Sequence, residues 1–275
     1  MIIDEHINTS HIKEIISSRK KKTNCFSFYN EISDWLDNDK ADAYLVENNV
    51  FLFYKANGFY KFYYWVDNFE DIKLAKTLLD QYRNKSEISL EFTTKNNRFL
   101  VEIKEQIYSI GFEFCAEFAR LLSGTNKLQD KENKYFDMFK IAKVEDKNEL
   151  LEIMHKEFDK IKDDIPTEDE LLELINKKSI LIRKIENQIV YIQIYEYSHG
   201  VLYSRMTWIK KEYRKPKYTI EFYNGDSAYI EQLNIQNKQI RCYFWVDTSI
   251  KNYKITLKLG ATLDGLTSNI FVYKK

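Results

Sequence analysis

The side chains that most often carry out chemistry are few in this chain and widely spaced. The three cysteines, Cys25, Cys115 and Cys242, form no CxxC pair, and their odd number and separation indicate reduced thiols that pack as small apolar residues. His6 and His11 lie five residues apart, which is a poor helical spacing for two ligands of one metal ion. The histidines and cysteines therefore predict neither a metal site nor a catalytic thiol.

Several motifs that define enzyme classes are absent from the sequence. It contains no GxxxxGK[ST], GxGxxG, HExxH or GxSxG pattern, which argues against nucleotide phosphate loops, zinc proteases and serine hydrolases. The 42 lysines and arginines balance 42 acidic residues, so a broad nucleic-acid surface is not expected. No apolar run is long enough to span a membrane, and the first residues lack a signal sequence. We expect a cytoplasmic protein without a membrane partner.

Strand patterns are clearest in two places. Between Ala43 and Val66, the runs AYLVE, VFLFYK and FYKFYYWV are separated by Asn48-Asn49 and Asn57-Gly58, which are typical hairpin turns. A second set lies between Ile180 and Ile209 and contains ILIRKI, IVYIQIYEY and VLYSRMTWI. Each set predicts an antiparallel meander of three strands.

The elements after the two meanders also occur in the same order. A helical pattern, a strand, a helix that ends at a glycine and a final strand are predicted twice, with Gly111 and Gly260 as the helix ends. The polar stretch 124–134 lies between the two copies. The sequence therefore predicts an α+β (α/β) protein with two tandem units, residues 1–133 and 134–275. Each unit is expected to have a mixed, mostly antiparallel sheet flanked by helices.

The second unit, from about Phe139 to Lys275, resembles the GNAT (GCN5-related) N-acetyltransferases. FKIAKVEDKNELLEI is similar to the opening strand and helix of that family, IVYIQIYEY to its third strand, and MTWIKKEYRK to its fourth strand and cofactor loop. CYFWVDTSIKN and LKLGATLDGLTSNIFVY are similar to its closing strand, helix and final hairpin. The first unit shares only the order of elements, so we interpret it as a degenerate GNAT-like partner.

The resemblance implies acetyl-CoA or another acyl-CoA as co-substrate, and no metal. In this family the fourth and fifth strands splay apart, the pantetheine arm lies between them, and backbone N–H groups of the next loop hold the pyrophosphate. The matching loop, Arg214 to Thr219, lacks both small residues of the family pattern Q/R-x-x-G-x-G/A. Its basic side chains could hold phosphates instead, or form an ordinary surface turn. The implied cofactor-binding residues are Thr207, Trp208, Ile209, Arg214, Lys215, Lys217, Tyr218, Thr219 and Asn252.

The resemblance also implies catalytic and substrate-binding positions. Glu196 and Asp247 are the carboxylates nearest the predicted splay, so either is a candidate base, and solvation of an edge strand is the alternative role. Many family members carry a tyrosine that protonates the thiolate. That position is Thr256 here, and Tyr253, one helical turn earlier, is the candidate acid, with ordinary packing as the alternative. The residues that would line the acceptor side are Tyr195, Tyr203, Arg205 and Trp245.

Three functions agree with these features. The first is direct acetyl transfer from acyl-CoA to a small amine in the C-terminal unit. The second is a catalytically silent GNAT-like binding module, which the altered loop and the missing tyrosine favour and which a closed splay would support. The third is a tRNA-dependent aminoacyl transferase, against which the zero net charge argues. We expect a small-molecule amine as partner, and a homodimer is compatible with the sequence.

Overall fold

The computed structural model describes residues 9–95, 97–124, 136–163, 165–215, 218, 221–222, 224–233, 240–258 and 260–274. The chain divides into two compact units, of which the first contains residues 1–118 and 266–275 and the second contains residues 119–265. This division differs from the sequence-based units 1–133 and 134–275. Residues 119–133 fall in the second unit, and residues 266–275 fall in the first.

The first unit contains the predicted sheet and the predicted flanking helices. Its elements are α1 (Thr9–Ser18), β1 (Lys22–Thr23), α2 (Tyr29–Asp37), β2 (Ala41–Val46), β3 (Asn49–Lys55), β4 (Tyr60–Val66), a 3-10 helix (Phe69–Ala75), α3 (Lys76–Arg83), β5 (Ile88–Thr94), α4 (Asn97–Ser109) and the beginning of β6 (Glu113–Gly124). The strands β2, β3 and β4 pair antiparallel, so the predicted first meander is confirmed.

The meander of the first unit buries both faces. Phe51, Phe53, Phe62 and Tyr64 point to a core shared with α3 and α4, and the alternate residues point to a second core shared with α1 and α2. Gly111 ends α4 with a φ of +103°, and a Cβ there would lie 2.8 Å from the Tyr273 ring. Glycine is therefore required by both the backbone angle and the close packing.

The strand after β5 in this sheet comes from the far end of the chain. In the order β2-β3-β4-β5-β12-β6, β12 (Thr262–Tyr273) lies between β5 and β6. It pairs antiparallel with β5 from Thr267–Thr94 to Tyr273–Ile88. The predicted final hairpin is wrong, because this segment forms one long strand in which Gly265 has a positive φ of 83°.

The second unit also consists of a sheet flanked by helices. Its elements include a 3-10 helix (Phe136–Met138), β7 (Lys140–Ile141), a 3-10 helix (Val144–Asp146), α5 (Lys147–Glu157), α6 (Glu168–Asn176), β8 (Ile180–Ile185), β9 (Gln188–Ser198), β10 (Val201–Ile209), a 3-10 helix (Lys211–Tyr213), α7 (Gly225–Gln232), β11 (Arg241–Asp247) and α8 (Lys251–Lys258). The sheet order is β6-β11-β10-β9-β8-β7, and the second predicted meander, β8 to β10, is confirmed.

Local sequence explains where the elements of the second unit begin and end. Thr167 caps α6 by accepting from the Glu170 N–H, while Glu170 accepts from the Thr167 N–H. Glu186 and Asn187 both have positive φ in the tight turn between β8 and β9. One face of this sheet packs on α5 and α6, and the other packs on α7.

Within the described ranges, no helix is long and apolar enough to span a membrane.

Candidate active site

The neighbouring strands β10 and β11 separate halfway along their length. They run parallel for four residue pairs, the last of which is Ser204–Phe244. A bulge at Arg205 follows, where the register of β10 against β9 shifts. Beyond the bulge, β10 follows β9 to Ile209 and β11 continues to Asp247, with no further pairs between β10 and β11. The result is an open splay, which is the place where the resemblance put the cofactor.

The backbone of β10 faces this splay at two residues. The Lys210 N–H donates to Val190 O at 2.9 Å, on the side of β9. Because the backbone groups of successive residues point alternately to the two sides of an antiparallel strand, those of Thr207 and Ile209 point away from β9. The Ile209 C=O accepts from Arg214 Nε at 2.7 Å. The N–H groups of Thr207 and Ile209 are thus directed at the gap.

The described part of the loop after β10 makes contacts within the chain. The guanidinium of Arg214, expected at the pyrophosphate, is turned back to Ile209 O and lies 3.6 Å from Glu157 Oε2. Trp208 is buried and donates to the same Glu157 oxygen at 3.2 Å, so it anchors β10 to α5. These contacts give the Arg214 guanidinium and the Trp208 side chain partners within the chain, and the cofactor-binding roles of both residues stay predictions.

The other loop residues have varied positions. Lys215 is exposed, at the end of the part of the loop that is described. The Tyr218 ring packs edge-on against Tyr213 with centroids 5.1 Å apart, so its ring serves the core under α7. Lys217 and Thr219 lie outside the described residues.

Several predicted residues meet on one face of the splay. The register places Glu196 opposite Tyr203, and Tyr203 opposite Tyr243, whose ring it stacks on with centroids 4.8 Å apart. Trp245 and Asp247 follow Tyr243 at two-residue spacing and so share its face. This is the face that α5 and α6 cover. A half-buried aromatic wall therefore borders the splay on the side predicted to bind the acceptor.

Glu196 is the carboxylate best placed for proton transfer. Its side chain is 48% exposed, and Oε1 lies 3.6 Å from Nη1 of Arg205, the bulge residue. Burial raises the pKa of Tyr243; the charge of Arg120 opposes this rise, and that of Glu196 adds to it. Glu196, Arg205 and Tyr243 thus form one electrostatic group at the point where the strands part. A solvent-accessible carboxylate in this position can accept a proton from an amine.

Asp247, the other candidate base, stabilises the turn that leads into α8. Its Oδ1 accepts from the Ser249 N–H at 2.8 Å and from the Ser249 hydroxyl at 2.6 Å, which shapes the turn into α8. Burial raises the pKa of Asp163 in the α5–α6 connection, and the charges of Asp159 and Asp247 contribute to the rise. Because Asp247 already accepts two hydrogen bonds, Glu196 is the stronger candidate.

The two predicted residues of α8 are accessible but are not brought to Glu196 by any described hydrogen bond. Asn252 is exposed, and its carbonyl accepts from the Thr256 hydroxyl at 2.8 Å. Tyr253 is half-buried. Both therefore stay predictions for the cofactor and acid roles.

Tyr195 does not line the acceptor face. It is 1% exposed and packs against Tyr229 of α7, with ring centroids 4.7 Å apart. The register explains this, because Tyr195 lies opposite Ser204 and points to the α7 side, whereas Glu196 points to the other side. The prediction that Tyr195 contacts substrate is corrected; Tyr203, Arg205 and Trp245 remain at the splay.

Sequence reasoning missed Gln193, which holds the bulge in place. Its Oε1 accepts from the Thr207 hydroxyl at 2.5 Å, and its Nε2 donates to the Ser204 hydroxyl at 2.7 Å. The two hydroxyls stand on either side of Arg205, so one buried amide fixes β10 before and after the bulge. The signal was a lone amide inside the apolar run IVYIQIYEY.

Gln193→Ala is expected to lower the free energy of unfolding by about 1–3 kcal/mol, because two part-buried hydroxyls lose their partner. Urea unfolding followed by circular dichroism measures the change. Gln188→Ala is the matched control, since its amide oxygen only accepts from the exposed Lys210 ammonium at 2.8 Å. An unchanged midpoint for Gln193→Ala would contradict the bracing role.

A second missed pair consists of Arg120 and Asp264. Arg120 Nε donates to Asp264 Oδ2 at 2.7 Å, and the guanidinium lies 5.3 Å from the Tyr243 ring centroid and 5.9 Å from that of Trp245. Arg120 therefore supports the aromatic wall from β6. Nothing in the pattern EFCAEFARLL distinguishes this arginine from a solvated one, because the partners are more than 120 residues away.

Comparison with solved structures identifies the fold. The chain has the fold of the GCN5-related N-acetyltransferases, with GNAT-like units in tandem. A GCN5-related N-acetyltransferase from Sphaerobacter thermophilus superposes with a TM-score of 0.58 and 8% identity over 95% of this chain and 91% of that one. One from Kribbella flavida gives 0.56 and 10% identity over 97% and 70%.

A tandem arrangement is also found among the similar structures. A tandem GNAT protein from the clavulanic acid biosynthesis pathway gives a TM-score of 0.56 at 6% identity over 99% of this chain and 96% of that one. No protein-family model and no curated protein matches the chain. At these identities the similarity shows the fold alone.

Proposed function

We propose that the chain is an acyl-CoA-dependent N-acyltransferase that acetylates a small amine at the splay between β10 and β11. The observation that carries the proposal is the end of pairing at Ser204–Phe244, which leaves the N–H groups of Thr207 and Ile209 directed at an open gap. The solved structures with this fold that are named as acetyltransferases support the same assignment.

The residues at the gap fit such a co-substrate. An extended pantetheine arm carries amides, which suit two strand edges that have no strand partner on one side among the described residues. The N–H groups of Thr207 and Ile209 would stabilise the negative charge that develops on the acyl oxygen. Exposed Lys211 and Lys215 in the following loop suit a pyrophosphate.

The chain supplies a base for the amine. Glu196 would take the proton of the amine as its nitrogen adds to the acyl carbon, and the carbon–sulfur bond then breaks. The leaving thiolate takes up a proton, for which Tyr253 is the proposed donor. The wall of Tyr203, Tyr243 and Trp245 would hold the acceptor beside the gap.

Calorimetric titration with acetyl-CoA and a thiol-release assay with a panel of small amines test the proposal. We expect binding that is saturable at micromolar to millimolar acetyl-CoA and thiol release that depends on an amine. Absence of acetyl-CoA binding at high protein concentration would contradict it. A variant of exposed Lys254, Lys254→Ala, is the control for nonspecific charge effects.

A second candidate is a binding module without catalysis. The contacts of the Arg214 guanidinium with Ile209 O and Glu157 favour this candidate, because they direct the guanidinium away from the place expected for a phosphate. Saturable CoA binding without thiol release from acetyl-CoA for any amine of the panel would support the module over the enzyme.

A further inference from the structure

The first unit has its own pair of separating strands. β4 and β5 run parallel for only two residue pairs, Tyr60–Ile88 and Lys61–Ser89. Both strands continue for several residues beyond this point, to Val66 and Thr94. The geometry thus repeats that of β10 and β11, and a gap is expected between the two strand edges.

In the first unit, the chain itself lies in this gap. β1 pairs antiparallel with β4, with Lys22 opposite Val66 and Thr23 opposite Trp65. The next residue, Asn24, is 3% exposed. We call residues Lys22–Cys25 the plug segment.

The side chain of Asn24 connects the two separating strands. Its Oδ1 accepts from the Tyr64 N–H at 3.0 Å, and its Nδ2 donates to Phe62 O at 3.0 Å on β4 and to Glu91 O at 3.1 Å on β5. One carboxamide therefore satisfies three backbone groups that would otherwise face the gap unpaired. This is the kind of contact that an amide of an inserted ligand would make.

The charges around the gap differ between the two units. The connection after β4 carries Asp67, Glu70 and Asp71, which disfavour a pyrophosphate. Lys21 of the chain preceding the plug segment pairs with Asp67 at 2.7 Å, and Lys22 lies 4.6 Å above the Phe69 ring. These contacts hold the plug segment at the end of the gap, where the second unit instead presents lysines.

We propose that the plug segment is an internal ligand of the first unit, which closes that cleft to acyl-CoA and leaves one acyl-CoA site per chain. The count of one site rests on the proposed function of the second unit. The closure of the first cleft does not, because it follows from contacts within the first unit alone.

Amide hydrogen exchange resolved to single residues tests the closure without any ligand. The Tyr64 N–H is expected to exchange at least about 100-fold more slowly than the gap-facing N–H groups of Thr207 and Ile209, because a hydrogen-bonded amide exchanges only when its structure opens. Asn24→Ala is expected to speed exchange at Tyr64 and to lower Tm by roughly 5–10 °C, since three backbone groups lose their partner. A Tyr64 N–H that exchanges in the unaltered chain within about tenfold of the rate of an unstructured peptide would overturn the closure.

Two further variants make this test interpretable. Asn38→Ala removes an amide with two hydrogen bonds on the exposed end of α2, and it should leave Tyr64 exchange unchanged. Asn24→Asp keeps the shape and the acceptor but removes the donor to Phe62 O and Glu91 O, and it serves if Asn24→Ala does not fold. Asn24→Asp should lower Tm, because a carboxylate then faces the Phe62 and Glu91 carbonyl oxygens, and an unchanged Tm would also overturn the proposal.

Titration with CoA tests the number of sites. We expect one equivalent per chain, with added exchange protection in residues 201–209 and 241–247 and none in residues 60–66 or 88–94. A second equivalent, or protection in β4 and β5, would overturn the proposal. If no CoA binds at all, the proposed function fails, and the ligand-free exchange rates decide the closure.

Discussion

Removal of residues 266–275 is expected to abolish folding of the first unit, although 147 residues separate this segment from Phe118. These residues contain most of β12, which pairs with β5 over seven residues. Phe271, Val272 and Tyr273 are at most 3% exposed. Burial of one large apolar side chain contributes about 1.5–3 kcal/mol, so the loss of three, with the paired backbone, approaches the total stability of an ordinary domain.

Soluble expression, circular dichroism and thermal melting measure this effect. The shortened chain should be insoluble or should lose the cooperative transition of the first unit, and a synthetic peptide of residues 266–275 should partly restore it. A chain that ends at Tyr273 is the control, because Lys274 is exposed and only approaches Glu113 at 3.4 Å. A soluble, cooperatively melting protein that lacks residues 266–275 would show that β12 is dispensable.

A large loss of activity is expected when the candidate base, Glu196, is replaced. Glu196→Gln should lower kcat/KM for the amine by about 100-fold or more, which is the usual contribution of a positioned base. The Kd for acetyl-CoA should stay within about twofold, since Glu196 lies on the acceptor face rather than at the strand edge. Steady-state kinetics and calorimetry separate the two quantities.

The matched controls for this variant decide between candidate bases. Glu186→Gln changes an exposed carboxylate in the turn between β8 and β9 and should leave both constants unaltered. Asp247→Asn should affect stability through the Ser249 turn more than turnover. If Asp247→Asn abolished turnover while Glu196→Gln left it intact, the assignment of the base would be reversed.

Local patterns predicted most of the individual elements. The meanders follow from turn residues and β-rich runs within a few positions of each other, and Gly111 and Gly260 have the positive φ expected of helix ends. The placement of β12 could not be predicted in the same way. Its apolar alternation fits many partners, and the choice of β5 depends on a surface that is formed about 170 residues earlier in the chain.

The candidate site was predictable only in part. The positions of Glu196, Tyr203 and Trp245 on one face follow from strand alternation once the strands are known. The bulge at Arg205 has no local sequence signal, although it decides where the pairing of β10 and β11 ends. The position of Arg214 depends on Glu157 of a distant helix, which no spacing rule reveals.

The order of strands also constrains the time course of folding during synthesis. β5 is made early, but β12, its partner, leaves the ribosome only after residues 119–265 have been made. At roughly 5–20 residues per second, the edge of β5 stays unpaired for about 10–30 s. An exposed strand edge is prone to pair with other chains, so the nascent first unit is most prone to aggregate during that interval.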